Sequence, residues 1–183
     1  MRNDVEAAAG DGLPPLPPPQ RIQELLFDAA RLGRTDMISA LLLAGADIEA
    51  GDRKGHTPLI LASYHGHVDA TALLLGEGAA INRPDRSRGN TALMGVAFKG
   101  YEPIADLLLD HGADLNARNY AGQTALMMAS LFGRRAIVDR LILAGADKEI
   151  VDAAGNSAFS VAMDQGNTEM AARLSGASNL HPL

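Results

Sequence analysis

Apolar residues along the chain occur in short clusters, two to a unit, with a glycine between them and a polar, glycine-containing turn after them. In the first cluster of a unit, pairs such as Leu126 and Ala129 stand three positions apart, which is the spacing of one face of a helix. The second cluster is a run of leucine or isoleucine, for example residues 141–143. Each unit therefore predicts two short amphipathic helices followed by a turn.

The units recur with a period of 33 or 34 residues. Each first helix is preceded by a threonine or serine, and these positions lie 34, 33 and 33 residues apart, at Thr57, Thr91, Thr124 and Ser157. Such a side-chain oxygen can accept a hydrogen bond from the free amides of a helix start, and Pro58 suits a first helical position. The one extra residue falls before Thr91 and is predicted to lie in a loop. A constant period of this length indicates a solenoid of stacked helix pairs.

The period, the Thr-Pro-Leu opening at Thr57 and Gly-Ala-Asp triplets such as residues 112–114 resemble the ankyrin repeat family. The resemblance covers about residues 20–175 and implies an all-α fold, an ankyrin-repeat solenoid of about five helix-turn-helix repeats linked by β-turn or hairpin loops. Other residues replace the usual histidine of the family, so we expect helix packing to rest more on apolar contact. The replacing residues are Ile60, Met94, Met127 and Ser160.

The period also sets the expected boundaries. We predict an ankyrin repeat domain over residues 20–176, divided into repeats at 20–51, 52–85, 86–118, 119–151 and 152–176. In the first repeat, helices are predicted over residues 24–30 and 36–43. The fifth repeat is predicted to be a degenerate C-terminal cap because its second helix carries few apolar residues. Residues 177–183 are predicted to form a loose tail.

The first 19 residues differ from the rest in composition. Five of the nine prolines fall within residues 14–19, which favours an extended polyproline segment and predicts a disordered N-terminal region over residues 1–19. The segment is either a stiff tether or, through the Pro14-x-x-Pro17 pattern, a ligand for a domain that binds polyproline helices. The sequence leaves both interpretations open.

Composition and charge argue against several classes of protein. The net charge of −6 argues against general nucleic-acid binding, because such binding depends on neutralising phosphates. The chain contains no cysteine, which suits a reducing compartment and leaves no thiolate metal site. No apolar run approaches the length of about 18 residues that suggests a membrane span, and no apolar signal region follows the one early arginine. We expect a cytoplasmic, monomeric protein that binds neither nucleic acid nor membrane.

No catalytic or metal-binding motif is visible. His65 and His67 form a close histidine pair, but they flank a glycine between two predicted helices and no further ligand lies nearby in the sequence. We therefore expect solvent-facing loop histidines rather than the ligand pattern of zinc. Neither a nucleophile motif nor a phosphate-binding glycine loop occurs. The prediction is a protein that is not an enzyme, with no cofactor and no metal.

The ankyrin resemblance implies that a partner protein docks on the concave side, formed by the projecting turns and the exposed side of the first helices. Carried over position by position, it predicts a partner-binding set of Arg53, Lys54, His56, Tyr64, His65, Ser87, Arg88, Asn90, Phe98, Lys99, Tyr120, Gln123, Leu131 and Phe132. Between residues 53 and 99 there are six basic and three acidic residues. Our hypothesis is that the set receives an acidic or phosphate-like face of the partner. The alternative is a solvated row of turns with its aromatics packed between repeats.

A narrower resemblance links residues 89–100 and 121–134 with bacterial ankyrin proteins encoded beside catalases. It implies an accessory role that supports a catalase or its haem supply in oxidative-stress defence, and Tyr64 and His65 would be the first haem ligands to test. The function predicted first is a non-catalytic protein–protein interaction module, and the catalase-related role is the alternative. An enzyme, the third class, would need a cluster of titratable groups that the sequence does not indicate.

Overall fold

The computed structural model describes residues 17–176. Within that range the chain forms ten α-helices and no strand: α1 Pro19–Leu32, α2 Thr35–Leu43, α3 Pro58–Tyr64, α4 Val68–Gly76, α5 Ala92–Lys99, α6 Glu102–Asp110, α7 Ala125–Leu131, α8 Arg135–Leu143, α9 Ala158–Asp164 and α10 Thr168–Leu174. The odd-numbered helices pack side by side in chain order and are called inner helices here; the even-numbered ones are the outer helices. Five helix pairs confirm the predicted all-α solenoid. Residues 1–16, which include Pro14 of the possible polyproline ligand, and the predicted tail at 177–183 lie outside the described residues.

The inner helices begin where the threonine and serine pattern predicts. Thr57 Oγ1 accepts the backbone N–H of Ile60 at 3.3 Å, and Thr91 and Thr124 accept equivalent bonds in α5 and α7. In α9 the arrangement is reciprocal, because the side chain of Ser160 also accepts the N–H of Ser157 at 2.9 Å. Such caps satisfy amides that a helix start leaves free, at about 1 kcal/mol each.

The core consists of the sides that neighbouring repeats turn toward each other. Leu59, Leu93 and Leu126, the second residues of their inner helices, are almost completely buried. The residues that replace the usual histidine are buried too in α3, α5 and α7, at Ile60, Met94 and Met127, which confirms that apolar contact takes the place of a polar side chain there. In α9 the replacing residue, Ser160, is half-buried and serves the cap instead.

The first helix starts earlier than the sequence analysis expects. It begins at Pro19 instead of residue 24 and ends at Leu32 instead of residue 30. Proline fits the first turn because no helical N–H is needed there and its φ is already close to the helical value. Pro19 therefore belongs to the repeat domain and not to the N-terminal segment. The second helix of this repeat agrees with the prediction to within one residue.

The connection between inner and outer helix corrects the prediction for one histidine. His67 is half-buried, and its Nε2 lies 2.8 Å from the carbonyl oxygen of Arg31 at the end of the preceding inner helix. In the corresponding position two repeats later, Arg134 Nε donates to the carbonyl of Phe98 at 3.1 Å. The residue after this glycine turn thus ties each of these repeats to its predecessor, and the expectation of a solvent-facing His67 is wrong.

The last repeat leaves an apolar side uncovered within the described residues. Phe159 and Met163 of α9 are 42% and 47% exposed. The residues at the same positions of α7, Leu126 and Ser130, are buried because the next inner helix packs on them. The fifth repeat is thus complete as a helix pair, although its outward side is not polar.

The turn before each inner helix from α3 onward projects as a short hairpin loop, called a finger here. The four fingers are residues 52–56, 85–90, 119–123 and 152–156. In each finger the first residue donates its backbone N–H to the carbonyl of the last, for example Asp52 to His56 at 3.0 Å. Finger 85–90 is one residue longer than the others, which confirms that the extra residue of the repeat pattern lies in a loop.

Successive fingers touch at their glycines. Gly55 has a φ of 78°, and a side-chain carbon there would lie 2.5 Å from the backbone nitrogen of Arg86 in the next finger. Gly89 faces the ring of Tyr120, whose backbone N–H donates to the carbonyl of Arg88 at 2.9 Å. Glycine is therefore required at Gly55 both for the backbone conformation and for the approach of the next finger.

We predict that Gly55→Ala destabilises the protein more than Gly78→Ala. Both glycines have a positive φ, at 78° and 87°, so each substitution places alanine in the left-handed region at about 1–2 kcal/mol. Only Gly55 also faces a neighbouring backbone atom, whereas nothing lies within 4 Å of the carbon added at Gly78. Overlap should add about 1–3 kcal/mol at Gly55. Urea unfolding followed by circular dichroism measures both losses, and equal losses would show that the fingers do not constrain each other.

Candidate functional site

The fingers and inner helices enclose an open groove of about 1160 Å³ on one side of the solenoid. Its walls come from α1, fingers 52–56 and 85–90, α3 and the first half of α5. Of the predicted partner-binding set, the residues that line the groove are Arg53, Lys54, His56, Tyr64, His65, Ser87, Arg88 and Asn90. The structure thus brings together the part of the set that comes from repeats two and three. Lys99, Leu131 and Gln123 are among the members beyond it.

A row of aromatic side chains runs along the ends of three inner helices. The rings of Tyr64 and Phe98 are nearly parallel with centroids 6.2 Å apart, and Phe98 meets Phe132 edge to face at 4.5 Å. We call these three residues the aromatic ladder. Its members pack on each other across repeats, as the alternative interpretation expects, yet Tyr64 and Phe132 keep 37% and 42% of their surface exposed. The ladder is therefore both a packing element and an accessible apolar surface.

Lys99 and His65 stand next to the ladder. The Lys99 Nζ lies 4.8 Å from the centroid of the Tyr64 ring, within the range of a cation–π interaction. His65 is exposed and meets Tyr64 edge to face. Loss of hydration, followed by repulsion from His67 and Lys99, lowers the pKa of His65 below its usual value, so the imidazole is neutral at pH 7. The positive charge at this end of the groove therefore comes from Lys99.

Most of the arginines on helices are already paired with carboxylates. Arg31 binds Asp28 at 2.9 Å and Asp52 at 2.7 Å, so its charge is taken up by these two groove carboxylates. Away from the groove, Arg140 pairs with Glu102 and Asp106, and Arg173 binds Asp139 through two bonds. These arginines have little charge to offer a partner.

The cations on the fingers are different. Within residues 17–176, no hydrogen bond or ion pair engages the side chains of the four basic residues of fingers 52–56 and 85–90, and all four are exposed: Arg53, Lys54, Arg86 and Arg88. We call them the finger cations. Because the carboxylates nearest to them are occupied elsewhere, their positive charge faces solvent.

Asp85 explains how finger 85–90 keeps its conformation. The carboxylate is 2% exposed and accepts the backbone N–H groups of Ser87, Arg88 and Asn90, together with the Ser87 hydroxyl, at 2.7–3.1 Å. Burial raises the pKa of Asp85, but these hydrogen bonds lower it more, and the pKa lies below its usual value. The ionised carboxylate therefore fixes the backbone that carries Arg88. Ser87 serves this network with its hydroxyl.

Three further members of the predicted set, Asn90, Gln123 and His56, also hold fingers in place. Asn119 Nδ2 donates to Asn90 Oδ1 at 2.9 Å and to Gln123 Oε1 at 3.1 Å, which links finger 85–90 to finger 119–123. His56 is half-buried, and its Nδ1 lies 3.4 Å from Asp52 Oδ2. The polar atoms of these residues are committed to the scaffold.

The sequence analysis missed one residue of the groove floor. Gly95 lies within α5, and the corresponding positions of α3, α7 and α9 hold larger apolar residues, Leu61, Met128 and Val161. Alignment of the repeats shows this difference, because α5 has a glycine where α3, α7 and α9 have large apolar residues. The repeat pattern assigns glycines to turns, so it does not single out Gly95.

Neither a metal centre nor a membrane span is found in the part of the chain that the structure describes. Among residues 17–176, no group of three or more histidine, aspartate or glutamate side chains is arranged to hold a metal ion. The helices of that range are all too short or too polar to cross a bilayer.

The fold and the groove define a helical-repeat binding protein. Models of ankyrin repeats match residues 26–119 as three copies and residues 108–162 as a many-copy array. The chain belongs to the ankyrin repeat family. Members of this family are protein–protein interaction modules, and they are generally scaffolds without enzymatic activity.

The relatives are similar over segments only. Oxysterol-binding protein-related protein 1 of Rattus norvegicus is 42% identical over 62 residues, which is 33% of this chain and 6% of that protein. Its human counterpart is 36% identical over 70 residues, 37% of this chain and 7% of that protein. A putative ankyrin repeat protein of Pseudomonas aeruginosa is 41% identical over 54 residues, 30% of this chain and 32% of that protein. The chain thus spans a third or less of the length of these relatives.

We predict that Asp85→Asn lowers the free energy of unfolding at pH 7 by about 1–3 kcal/mol, because bonds to a buried carboxylate are weakened. A pKa lowered on folding gives stability that is present above the unfolded value of about 3.9 and is lost as the pH falls through the folded value. The difference between wild type and Asp85→Asn should therefore shrink between pH 5 and pH 3.

Urea unfolding at several pH values measures this difference. Asp110→Asn is the matched control, because Asp110 is an exposed carboxylate at the end of α6 and the same substitution there should change stability little at any pH. A loss for Asp85→Asn that stays constant down to pH 3 would contradict the assigned role of the ionised carboxylate.

Proposed function

We propose that the groove and the aromatic ladder together form the docking surface for a partner protein, and that the partner presents an acidic face to the finger cations. The observation that supports this proposal most strongly is the combination of four exposed cations on fingers 52–56 and 85–90, unpaired within residues 17–176, with three aromatic rings that contact one another at the ends of α3, α5 and α7. Arginine and large aromatic residues are the types that dominate binding energy at protein interfaces.

The two parts of the surface have different physical roles. The finger cations act at a distance, because uncompensated positive charge on an otherwise acidic protein steers an acidic partner toward this side. The ladder acts at contact, because burying the exposed parts of Tyr64 and Phe132 removes apolar surface from water. The interlocked fingers keep the cations in place before the partner arrives, so little conformational entropy is lost on docking.

The proposal extends to a monomeric protein in a reducing compartment such as the cytoplasm, which the lack of cysteine suits. The resemblance to ankyrin proteins encoded beside catalases stays a hypothesis, since neither of the two kinds of relative described above bears a name that refers to catalase or haem. Of the two haem ligands to test, Tyr64 is stacked against Phe98 and His65 meets Tyr64 edge to face.

We predict that the triple variant Arg88→Ala, Phe98→Ala, Phe132→Ala captures its partner at least about tenfold more weakly than wild type. Loss of two aromatic anchors and one cation should cost more than the 1.4 kcal/mol that corresponds to a factor of ten. Affinity capture from the native organism identifies the partner, and titration of that purified partner measures the dissociation constant. Far-ultraviolet circular dichroism should show unchanged helicity.

The double variant Leu43→Ala, Leu143→Ala serves as a control, because both leucines are 90% exposed at the ends of outer helices and neither lines the groove. It should bind like wild type. Undiminished capture by the triple variant would overturn the proposal and would direct attention to the proline-rich segment at residues 1–16.

A further inference from the structure

The helix α5 contains a glycine that its backbone conformation does not require. Gly95 lies in the middle of the helix and does not have a positive φ. A glycine in a helix interior costs about 0.5–1 kcal/mol relative to alanine. The protein therefore gives up helix stability at this position, while Leu61, Met128 and Val161 supply side chains at the equivalent positions of α3, α7 and α9.

The space that Gly95 leaves opens into the groove. A side-chain carbon added there would have a single neighbouring heavy atom within 4 Å outside its own helix, Cδ2 of Tyr64 at 3.3 Å. Gly95 and Tyr64 both line the groove, together with Ile60 and Leu61 on the apolar floor and Arg88 on the finger beside it. We call the space over Gly95 and beside the Tyr64 ring the Gly95 notch. Gly95 and the Tyr64 ring bound it, and the exposed Arg88 lines the same groove.

We propose that the partner enters the groove as an extended acidic segment, with one apolar side chain that fills the Gly95 notch and flanking carboxylates that pair with the finger cations. This inference rests on the docking surface proposed above and names the kind of segment that the surface recognises. An apolar anchor gains contact with the face of the Tyr64 ring and with the groove floor. The carboxylates gain charge-assisted hydrogen bonds with Arg88 and Arg53.

The size of the groove favours a polypeptide as occupant. Its volume of about 1160 Å³ exceeds the range of about 300–1,000 Å³ typical of small-molecule sites, and it is open along one side. The arrangement of charge favours several separate carboxylates over one phosphate group. The finger cations are exposed on two different fingers, so each finger can pair with a carboxylate of its own.

The test begins with selection of peptides on the full-length protein. A phage-displayed library of random dodecapeptides is selected against the immobilised wild-type chain, and enriched peptides are synthesised with a fluorescent label for anisotropy titrations. The inference predicts enriched peptides with an aliphatic or aromatic residue flanked by aspartate or glutamate. Failure to enrich any peptide, or enrichment without this pattern, would overturn it.

The second step tests the notch with Gly95→Met. Methionine occupies the equivalent position in the next repeat at Met128, so the substitution suits the helix. The Tyr64 ring must move slightly, because an added side-chain carbon would lie 3.3 Å from its Cδ2, and we expect the midpoint of thermal unfolding to change little. It should weaken binding of the selected peptides at least about tenfold by filling the notch. Replacing the apolar residue of the peptide by alanine should also weaken binding, and the two changes together should cost less than their sum, because both act on one contact.

Gly76→Met is the matched control. Gly76 is also a helical glycine without a positive φ, it is exposed at the end of α4, and nothing lies within 4 Å of an added side-chain carbon. Gly76→Met should bind the peptides like wild type. Arg88→Glu should weaken peptide binding, with a larger effect at low ionic strength than at high ionic strength.

The outcomes separate this inference from the docking surface on which it rests. In one outcome, the selected peptides bind the double variant Phe98→Ala, Phe132→Ala more weakly than wild type but bind Gly95→Met as tightly as wild type. That result would support the docking surface and contradict the role of the Gly95 notch. Peptides that bind both variants like wild type would count against the notch and against the groove together. Loss of binding by Gly95→Met and retention by Gly76→Met is the result that the inference predicts.

Discussion

The structure depends on contact between neighbouring repeats, because no single helix pair can bury its own apolar surface. Leu93 of α5 is covered by α7 in the same way that Leu59 of α3 is covered by α5. Apolar area removed from water stabilises at about 25 cal/mol per Å², and the packing of each inner helix on the next removes a large part of it here. Each inner helix is therefore fixed in position by its neighbours. A surface that runs across three repeats, such as the aromatic ladder, is as rigid as the core beneath it.

In fingers 52–56 and 85–90 the buried or half-buried carboxylates bind groups of the fold, whereas the cations are exposed to solvent. The carboxylate of Asp85 is consumed by the amides of its own finger, and that of Asp52 by Arg31 and the amides of the finger it opens. If these two carboxylates had no such partners, they could pair with the arginines of the fingers. Because they are occupied, Arg53 and Arg88 face solvent with their charge uncompensated, and an acidic chain carries a local basic surface.

The sequence predicts the helices of this fold well and its groove only in part. Period, threonine caps and glycine turns act over a few residues, so α3 to α9 follow from local pattern alone. The burial of Met94 and Met127 also followed from their place in the repeat. The predictions that were wrong concern side chains whose contacts join residues far apart in the sequence. His67 reaches a carbonyl 36 positions earlier, and Arg31 meets Asp52 across 21 positions. Such pairing decides which cations remain free, and no single-repeat pattern contains it.

The central claim is that binding takes place on the inner-helix side of repeats two to four, on a surface that exists before the partner arrives. Hydrogen exchange of the full-length protein, measured by mass spectrometry with and without its purified partner, tests this claim most directly. The account predicts slower exchange of amides in fingers 52–56 and 85–90 and in α5 when the partner is bound, with the outer helices unchanged. Protection confined to the outer helices α4, α6 and α8, or to residues 1–16, would contradict it.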